Sequence, residues 1–160
     1  MGPTPDKIAA LVDATRALDA VGAAHALIGG VAVGIHSGVP RATADTDIAV
    51  LSTVDRSAVA KALTAAAFRL TGEFAHSANF RHPSGEPVQL VFDPSFDVMI
   101  ARAERFRIGT VDVRIVGKVD LIAMKERAAA DPSRRRSKAL QDRADVELLR
   151  GDVPDPDEGW

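Results

Sequence analysis

Asp45 and Asp47 occupy alternate positions at the start of the apolar run ADTDIAVL. Residues at alternate positions of a strand lie on the same face with Cα atoms about 6.5 to 7 Å apart, so both carboxylates can reach one metal ion. Neighbouring carboxylates repel each other unless a proton or a cation lies between them. Because hard divalent cations prefer oxygen ligands, the pair predicts a site for Mg²⁺.

A two-glycine turn, Gly29-Gly30, lies upstream of the aspartates and directly after the apolar run HALI. If a helix begins at this turn, its first free N–H groups point to one spot, and glycine lets an anion approach them closely. Arg41, farther along, is expected to make a two-pronged contact with phosphate oxygens, and Thr43 to fix the approach to the strand. A metal-bound nucleoside triphosphate would complete this arrangement.

Each of these features also has a simpler interpretation. A Gly-Gly pair alone is most often a turn, and an Asp-x-Asp alone is most often a solvated strand end. Arg41 is explained about as readily as a surface arginine before a loop. His36 is predicted to be a packed or capping histidine rather than a base. Because the glycine turn and the aspartates occur so close together, we favour the functional interpretation.

Composition limits the classes of function. The chain has 160 residues, of which 46% are apolar, which suits one compact domain. With 22 acidic and 20 basic residues, its net charge of −2 gives no general attraction to nucleic acid or anionic lipid. The absence of cysteine excludes disulfides, thiolate catalysis and Cys-ligated zinc. We find no signal sequence and no apolar stretch of about 18 residues, so we expect a cytoplasmic protein without membrane contact.

The hydrophobic pattern predicts a mixed α/β (α+β) chain with C-terminal helices, organised as one domain over residues 1–151 and followed by an acidic, Pro-rich tail over 152–160. Predicted strands cover 25–30 and 46–51, and predicted hairpins cover 77–93 and 105–116. Helices are predicted between Pro5 and Gly22, from 31 to 38, from 58 to 67 after a cap at Thr53, from 120 to 130, and from Asp131-Pro132 to Gly151.

These residues resemble the signature of the polymerase-beta-like nucleotidyltransferase superfamily, and they are most similar to small bacterial proteins that include the toxins of type IV abortive-infection systems. The residues that carry the likeness are Gly29-Gly30-Val31-Ala32, His36, Arg41, Thr43, Asp45 and Asp47. It is strong over residues 24–51 and looser over 121–149. It implies a mixed sheet flanked by helices, a nucleotide on the glycine turn, and two Mg²⁺ ions, or Mn²⁺, on the catalytic aspartates.

The reaction that this resemblance implies is transfer of a nucleoside monophosphate from a triphosphate to a hydroxyl, with release of pyrophosphate. Two metals about 3.5 to 4 Å apart can stabilise both the attacking and the leaving oxygen of an in-line displacement. The resemblance also implies that Lys125, on a C-terminal helix, contacts the triphosphate. The basic residues Arg134, Arg135, Arg136 and Lys138 could receive an RNA backbone, but surface pairing of Lys138 with Asp142 explains part of the pattern equally well.

One position departs from the pattern. Active members of the superfamily usually carry a third carboxylate on a later central strand, and the matching run here is Val88–Phe92, with Gln89 in its place. An amide carries no charge and cannot act as a general base. Asp93 has the same strand parity, but it lies four residues on, about 13 Å along the strand, so it could replace the carboxylate only if a bulge or a different register brought it back. We expect it to be an ordinary strand-end residue before Pro94.

Three hypotheses follow. The first is an active nucleotidyltransferase that modifies RNA, a protein or a small molecule. The second is a member that binds nucleotide or a partner without efficient chemistry, such as the antitoxin of a toxin–antitoxin pair, and Gln89 favours it. The third is a structural module without a ligand. For the first, the shortness of the chain implies that a second copy or a cognate partner completes the acceptor site.

Overall fold

The computed structural model describes residues 4–159, which form a seven-stranded mixed sheet in the order β3-β4-β5-β2-β1-β7-β6. The strands are β1 His25–Ile28, β2 Thr46–Val50, β3 Arg69–Glu73, β4 Ser77–Arg81, β5 Pro87–Val91, β6 Glu104–Ile108 and β7 Val111–Ile115. The helices are α1 Lys7–Ala20, α2 Gly29–Ser37, α3 Arg56–Ala65, α4 Asp97–Ala101, α5 Lys118–Ala130 and α6 Arg136–Leu149, with a 3₁₀ turn at Pro94–Phe96.

The centre of the sheet is β2, which pairs antiparallel with β1 and parallel with β5. In this register Asp47 lies opposite Ile28 on one side and Gln89 on the other. Hairpins extend the sheet on both sides, β3-β4 beyond β5 and β6 beyond β7. The C-terminal end of β1 and the N-terminal ends of β2 and β5 therefore lie side by side at one end of the central strands.

Helices cover the sheet and hold β2 in a continuous apolar core. Helix α1 packs against α3 and against β7, α2 packs against β1, β2 and α6, and α5 packs along α6. Large, fully buried side chains come from both the helices and the central strands, namely Leu11, Leu18, Leu27, Ile48, Leu63, Leu90, Ile115 and Leu121. Because protein interiors are close-packed, this core gives rigid support to the adjoining ends of β1, β2 and β5.

The mixed α/β class, both hairpins and the C-terminal helices are confirmed. The first helix and the strands at 25–30 and 46–51 also agree with the structure to within a few residues. The short helix begins at Gly29 itself and ends before Gly38, whose φ of 73° is the left-handed value that terminates a helix. Residues 152–159 form neither a helix nor a strand.

Two elements were not predicted, β3 and α4. The sequence of β3, RLTGE, has no apolar alternation, because all five of its residues are exposed or half-buried at the edge of the sheet. Its strand conformation depends on pairing with β4, and that pairing includes a register shift between Leu70 and Gly72. Helix α4 has only five residues, too few for a helical period.

Two helix starts were predicted at the wrong residue. Asp55 rather than Thr53 caps α3, since its carboxylate accepts hydrogen bonds from the N–H groups of Ser57 and Ala58 at 3.0 and 3.2 Å. The last helix begins at Arg136 instead of Asp131-Pro132, because Asp131 accepts a hydrogen bond from Ser133 N and forms a separate turn.

Among residues 4–159, no helix has the length and apolar character that crossing a bilayer requires.

No loop separates β1 from α2, and this junction depends on glycine. Gly29 has a φ of 73°, and a Cβ atom added there would lie 2.5 Å from Oδ2 of Asp47. At Gly30, a Cβ atom would collide with the guanidinium of Arg41 and lie 3.0 Å from Oγ1 of Thr43. The two glycines therefore let three polar side chains pack directly against the backbone of the turn.

We expect Gly29→Ala to lower the free energy of unfolding by about 2 to 4 kcal/mol, since it adds left-handed strain to a steric conflict with Asp47. Urea denaturation would measure the loss. Gly34→Ala in the same helix is the matched control, because its added methyl group meets nothing closer than 3.5 Å and alanine favours a helix. Equal stability of the two variants would contradict this role of Gly29.

Candidate functional site

A cleft of about 380 Å³ opens beside the C-terminal end of β1 and the start of β2. All seven residues that the sequence proposed for the site line it, namely Gly29, Gly30, Arg41, Thr43, Asp45, Asp47 and Lys125. Arg134, Lys138, Gln141 and Asp142 line the opposite wall, which belongs to the α5–α6 turn and to α6. The tertiary structure thus brings together residues that lie up to 113 positions apart in the sequence, from Gly29 to Asp142.

The two aspartates share this cleft, although only Asp47 belongs to β2 and Asp45 immediately precedes it. Burial and, to a smaller extent, the negative charge of Asp45 raise the pKa of Asp47 to about 7, although the positive charges of Lys125 and Lys138 act in the opposite direction. Oδ1 of Asp47 is buried and has no hydrogen-bond partner among the described residues. Near neutral pH this carboxylate therefore needs a proton or a cation beside it.

The two carboxylates suit Mg²⁺ as an oxygen-binding cation that retains other ligands. Among residues 4–159 there is no cluster of three or more His, Asp or Glu side chains that could enclose an ion by themselves. Mg²⁺ is commonly bound by one or two carboxylates, with phosphate oxygens and water completing its six ligands. The unpaired Oδ1 of Asp47 and the neighbouring Asp45 fit that kind of site.

Arg41 is not a surface arginine, and its two-pronged contact is made within the protein. Its Nε and Nη2 atoms donate to the carboxylate of Asp145 at 2.6 and 3.0 Å, and Asp145 is only 1% exposed. The expected two-pronged contact of Arg41 with phosphate is therefore replaced by an ion pair with α6. Nη1 faces the cleft, donating weakly to the carbonyl of Ala42 at 3.3 Å.

Sequence reasoning missed Asp145 and considered Asp142 only as a surface partner of Lys138, yet both organise the basic side of the cleft. Lys125 Nζ lies 3.1 Å from Asp145 and 3.3 Å from Asp142, and Arg134 Nε donates to Asp142 at 2.5 Å. Both carboxylates are buried on α6 together with Val146 and Leu149. Acidic residues at the apolar positions of an amphipathic helix were the signal that could have revealed them.

Three further expectations can be compared with these contacts. Pairing of Lys138 with Asp142 is wrong, because Asp142 binds Lys125 and Arg134 instead. Thr43 Oγ1 donates to the carbonyl of Asp45 at 3.3 Å, so it holds the segment that enters β2. His36 is packed, with Nε2 2.7 Å from the carbonyl of Val116 and its ring perpendicular to that of Phe106.

Gln89 lies where the missing carboxylate was expected. It is the partner of Asp47 in the parallel β2–β5 ladder, and paired residues of adjacent strands project from the same face. That ladder runs without a bulge from Thr46 to Ala49, so nothing moves Asp93 back toward the site. Asp93 instead accepts a hydrogen bond from Ser95 N at 2.9 Å, and this bond lowers its pKa.

The sequence matches no protein-family model. It also matches no curated protein.

Solved structures are nevertheless similar to most of the chain. The lincosamide antibiotic adenylyltransferase LnuA, bound to lincomycin, has a TM-score of 0.64 at 10% identity over 95% of this chain and 100% of its own. The antibiotic-resistance factor ANT(2'')-Ia has a TM-score of 0.61 at 17% identity over 91% and 89% of the two chains.

A third similar structure is an antigenic nucleotidyltransferase-like protein from Paracoccidioides brasiliensis, with a TM-score of 0.58 at 23% identity over 93% of this chain and 78% of its own. Identities this low show a shared architecture rather than a shared activity. The seven-stranded mixed sheet with flanking helices is therefore a nucleotidyltransferase-like fold.

Proposed function

We propose that this protein binds a nucleoside triphosphate with Mg²⁺ in the cleft and transfers its nucleoside monophosphate to a hydroxyl group, releasing pyrophosphate. The observation that carries the proposal is the pair Asp45 and Asp47 in a cleft that also contains the glycine turn and four cationic side chains, Arg41, Lys125, Arg134 and Lys138. Similar structures include an adenylyltransferase and a complex of ANT(2'')-Ia with adenylyl-2''-tobramycin, which supports nucleotidyl transfer as the reaction class.

Each part of the cleft suits one part of this substrate. The N-terminal N–H groups of α2 have no side-chain cap at Ile28, so they can donate to phosphate oxygens at the glycine turn. Lys125 and Lys138 supply positive charge on the opposite wall. Asp45 and Asp47 would hold Mg²⁺, which when bound neutralises charge on the phosphates and on the leaving pyrophosphate.

The buried acids of α6 keep the cationic wall in position. Asp145 holds both Arg41 and Lys125, so the two cations are fixed before any ligand enters. Such preorganisation is the main contribution a protein can make to phosphoryl transfer, since the reaction is accelerated mostly by positioning and charge neutralisation. Arg41 then acts chiefly by supporting the glycine turn, and only its Nη1 remains near the phosphates.

The acceptor in this proposal is a molecule that presents a hydroxyl group to the cleft. RNA, a protein and a small molecule all remain acceptors of the right chemistry. Membership of the type IV abortive-infection toxin group rests on the sequence resemblance, and so does pairing with a cognate partner.

A second candidate function is favoured by Gln89. Because this amide stands beside Asp47 in the sheet, the site lacks the charge and the base that a third carboxylate would supply. A protein with this site would bind Mg²⁺ and nucleotide but turn over slowly or not at all. It would then act by binding a partner, as an antitoxin does.

Binding and turnover can be measured separately. We expect calorimetry to detect binding of a triphosphate that requires Mg²⁺, with Asp47→Asn weakening it at least about tenfold. Pyrophosphate release from mixed triphosphates would then report turnover, again with Asp47→Asn as the control. Binding with equal background release from both proteins would favour the second candidate function, and no heat at about millimolar nucleotide would overturn nucleotide binding altogether.

Gln89→Asp tests the missing carboxylate directly. If the amide limits the reaction, we expect this variant to raise pyrophosphate release by about 10²-fold or more, the usual contribution of a general base. Gln89→Glu is a size-matched comparison that places the charge one methylene farther out. No gain from either variant would mean that the amide is not what limits turnover.

The raised pKa of Asp47 predicts how ligand binding depends on pH. The folded protein holds the Asp47 proton more tightly than the unfolded chain does, so this carboxyl becomes destabilising as the pH rises from about 4 toward 7. Since Mg²⁺ must replace that proton, we expect Mg²⁺ with ATP to raise Tm more at about pH 8 than at about pH 5.5.

Thermal denaturation of the wild type and of Asp47→Asn would measure this dependence. The variant should be more stable than the wild type without ligand at about pH 8, and its ligand effect should depend less on pH than that of the wild type. Because ATP titrates identically with both proteins, the comparison removes its contribution. An equal Tm shift at both pH values in the wild type would contradict a raised pKa.

A further inference from the structure

A second, smaller cavity of about 120 Å³ adjoins the cleft and shares Asp45 with it. It opens over the β3-β4-β5 part of the sheet, outside the nucleotide cleft. Thr71, Asn79, Arg81 and Gln89 supply its polar lining. None of these four residues lines the first cleft.

The position of this cavity suits the second substrate, which is the hydroxyl acceptor. This inference rests on the proposed nucleotidyl transfer. In an in-line displacement the attacking oxygen and the leaving oxygen lie on opposite sides of the phosphorus atom. If the triphosphate occupies the cleft between the glycine turn and Lys125, the attacking hydroxyl must arrive from another side of the carboxylate pair. Asp45 is the wall that the two cavities share, so the smaller cavity offers that approach.

The floor of the cavity is built to hydrogen-bond a neutral hydroxyl. Asp47, Gln89 and Asn79 are successive partners across β2, β5 and β4, so they form one polar row on the same face of the sheet. Oδ1 of Asn79 is buried and has no partner among the described residues. Because a buried polar atom without a partner is costly, it marks a place where a donor from a ligand is favoured.

Two arginines lie at the side of the cavity that is formed by β3 and β4. Arg81 lines it, and Arg69 lies directly opposite Arg81 in the β3–β4 ladder. Like charges at directly opposed positions destabilise a sheet, so an anion near the pair would relieve the repulsion. Arg81 is held at the hairpin turn by donating to the carbonyl of Gly85 at 3.1 Å. Asp45 is the sole carboxylate among the described lining residues.

The cavity offers no surface on which a base could stack. Phe80 is its one aromatic lining residue in the described chain, and this side chain is only 2% exposed in the core. Proteins that bind single-stranded nucleic acid usually stack bases on exposed aromatic rings. From this combination we propose that the smaller cavity is the acceptor subsite and that it selects a small hydroxyl compound carrying a carboxylate or a phosphate, rather than a cationic one.

Four sugars of similar shape separate the charge classes, namely glucose 6-phosphate, glucuronate, glucose and glucosamine. Each would be titrated by calorimetry into protein saturated with Mg²⁺ and a non-hydrolysable ATP analogue, whose own binding is measured first. We expect the best of the two anionic sugars to bind at least about tenfold more tightly than glucose, and glucosamine to bind most weakly. The two anionic sugars distinguish phosphate from carboxylate as the preferred group.

Arg81→Glu should reverse this order, so that glucosamine becomes the best of the four ligands. Arg105→Glu on β6, at the opposite edge of the sheet, is the matched control and should leave the order unchanged. Failure of the wild type to bind the ATP analogue would overturn the proposed function itself. Normal binding of the analogue followed by preference for glucosamine, by no binding of any sugar, or by an unchanged order in Arg81→Glu would overturn the acceptor proposal alone.

A short RNA provides the remaining comparison. If a trinucleotide binds the nucleotide-loaded protein and none of the four sugars does, the acceptor is a nucleic acid and the proposal fails. If the trinucleotide competes with the anionic sugar and Arg81→Glu weakens both, the anionic group is what the subsite recognises, as proposed.

Discussion

The site depends on a close contact between a carboxylate and a glycine backbone. Asp47 Oδ2 lies so near Gly29 that any side chain there would meet it, and the other oxygen, Oδ1, is buried without a partner among the described residues. Burying a carboxylate beside a second one is unfavourable unless something compensates for its charge. A bound cation is the compensation that would suit this arrangement.

The opposite wall of the cleft carries an excess of positive charge, and acidic residues of α6 neutralise part of it. Asp142 and Asp145 lie at the buried positions of that helix, where they pair with Lys125, Arg134 and Arg41. Buried ion pairs contribute little net stability because desolvation offsets their attraction. Their value here is geometric, since they hold the cationic groups around a space that a polyphosphate could fill.

Local signals predicted much of the fold. Glycines, prolines and alternating apolar residues located both hairpins and the first strands, because those elements are specified by residues close together in the chain. Strand β3 was not predictable in this way, since its conformation comes from pairing with β4 rather than from its own residues. The predicted cap of α3 was two residues away from the observed one. Thr53 and Asp55 are both favourable N-cap residues, and the conformation of the local backbone determines which of them caps the helix.

The sequence by itself determined which residue types are available for chemistry, namely a glycine turn and two alternating aspartates, because their spacing along the chain is what places them on adjoining elements. Only the tertiary structure decided their partners. Arg41 pairs with Asp145, Gln89 lies beside Asp47, and Arg69 lies opposite Arg81. Those relations depend on strand order, register and helix packing, which are set by the free energy of the whole core rather than by any short stretch of residues.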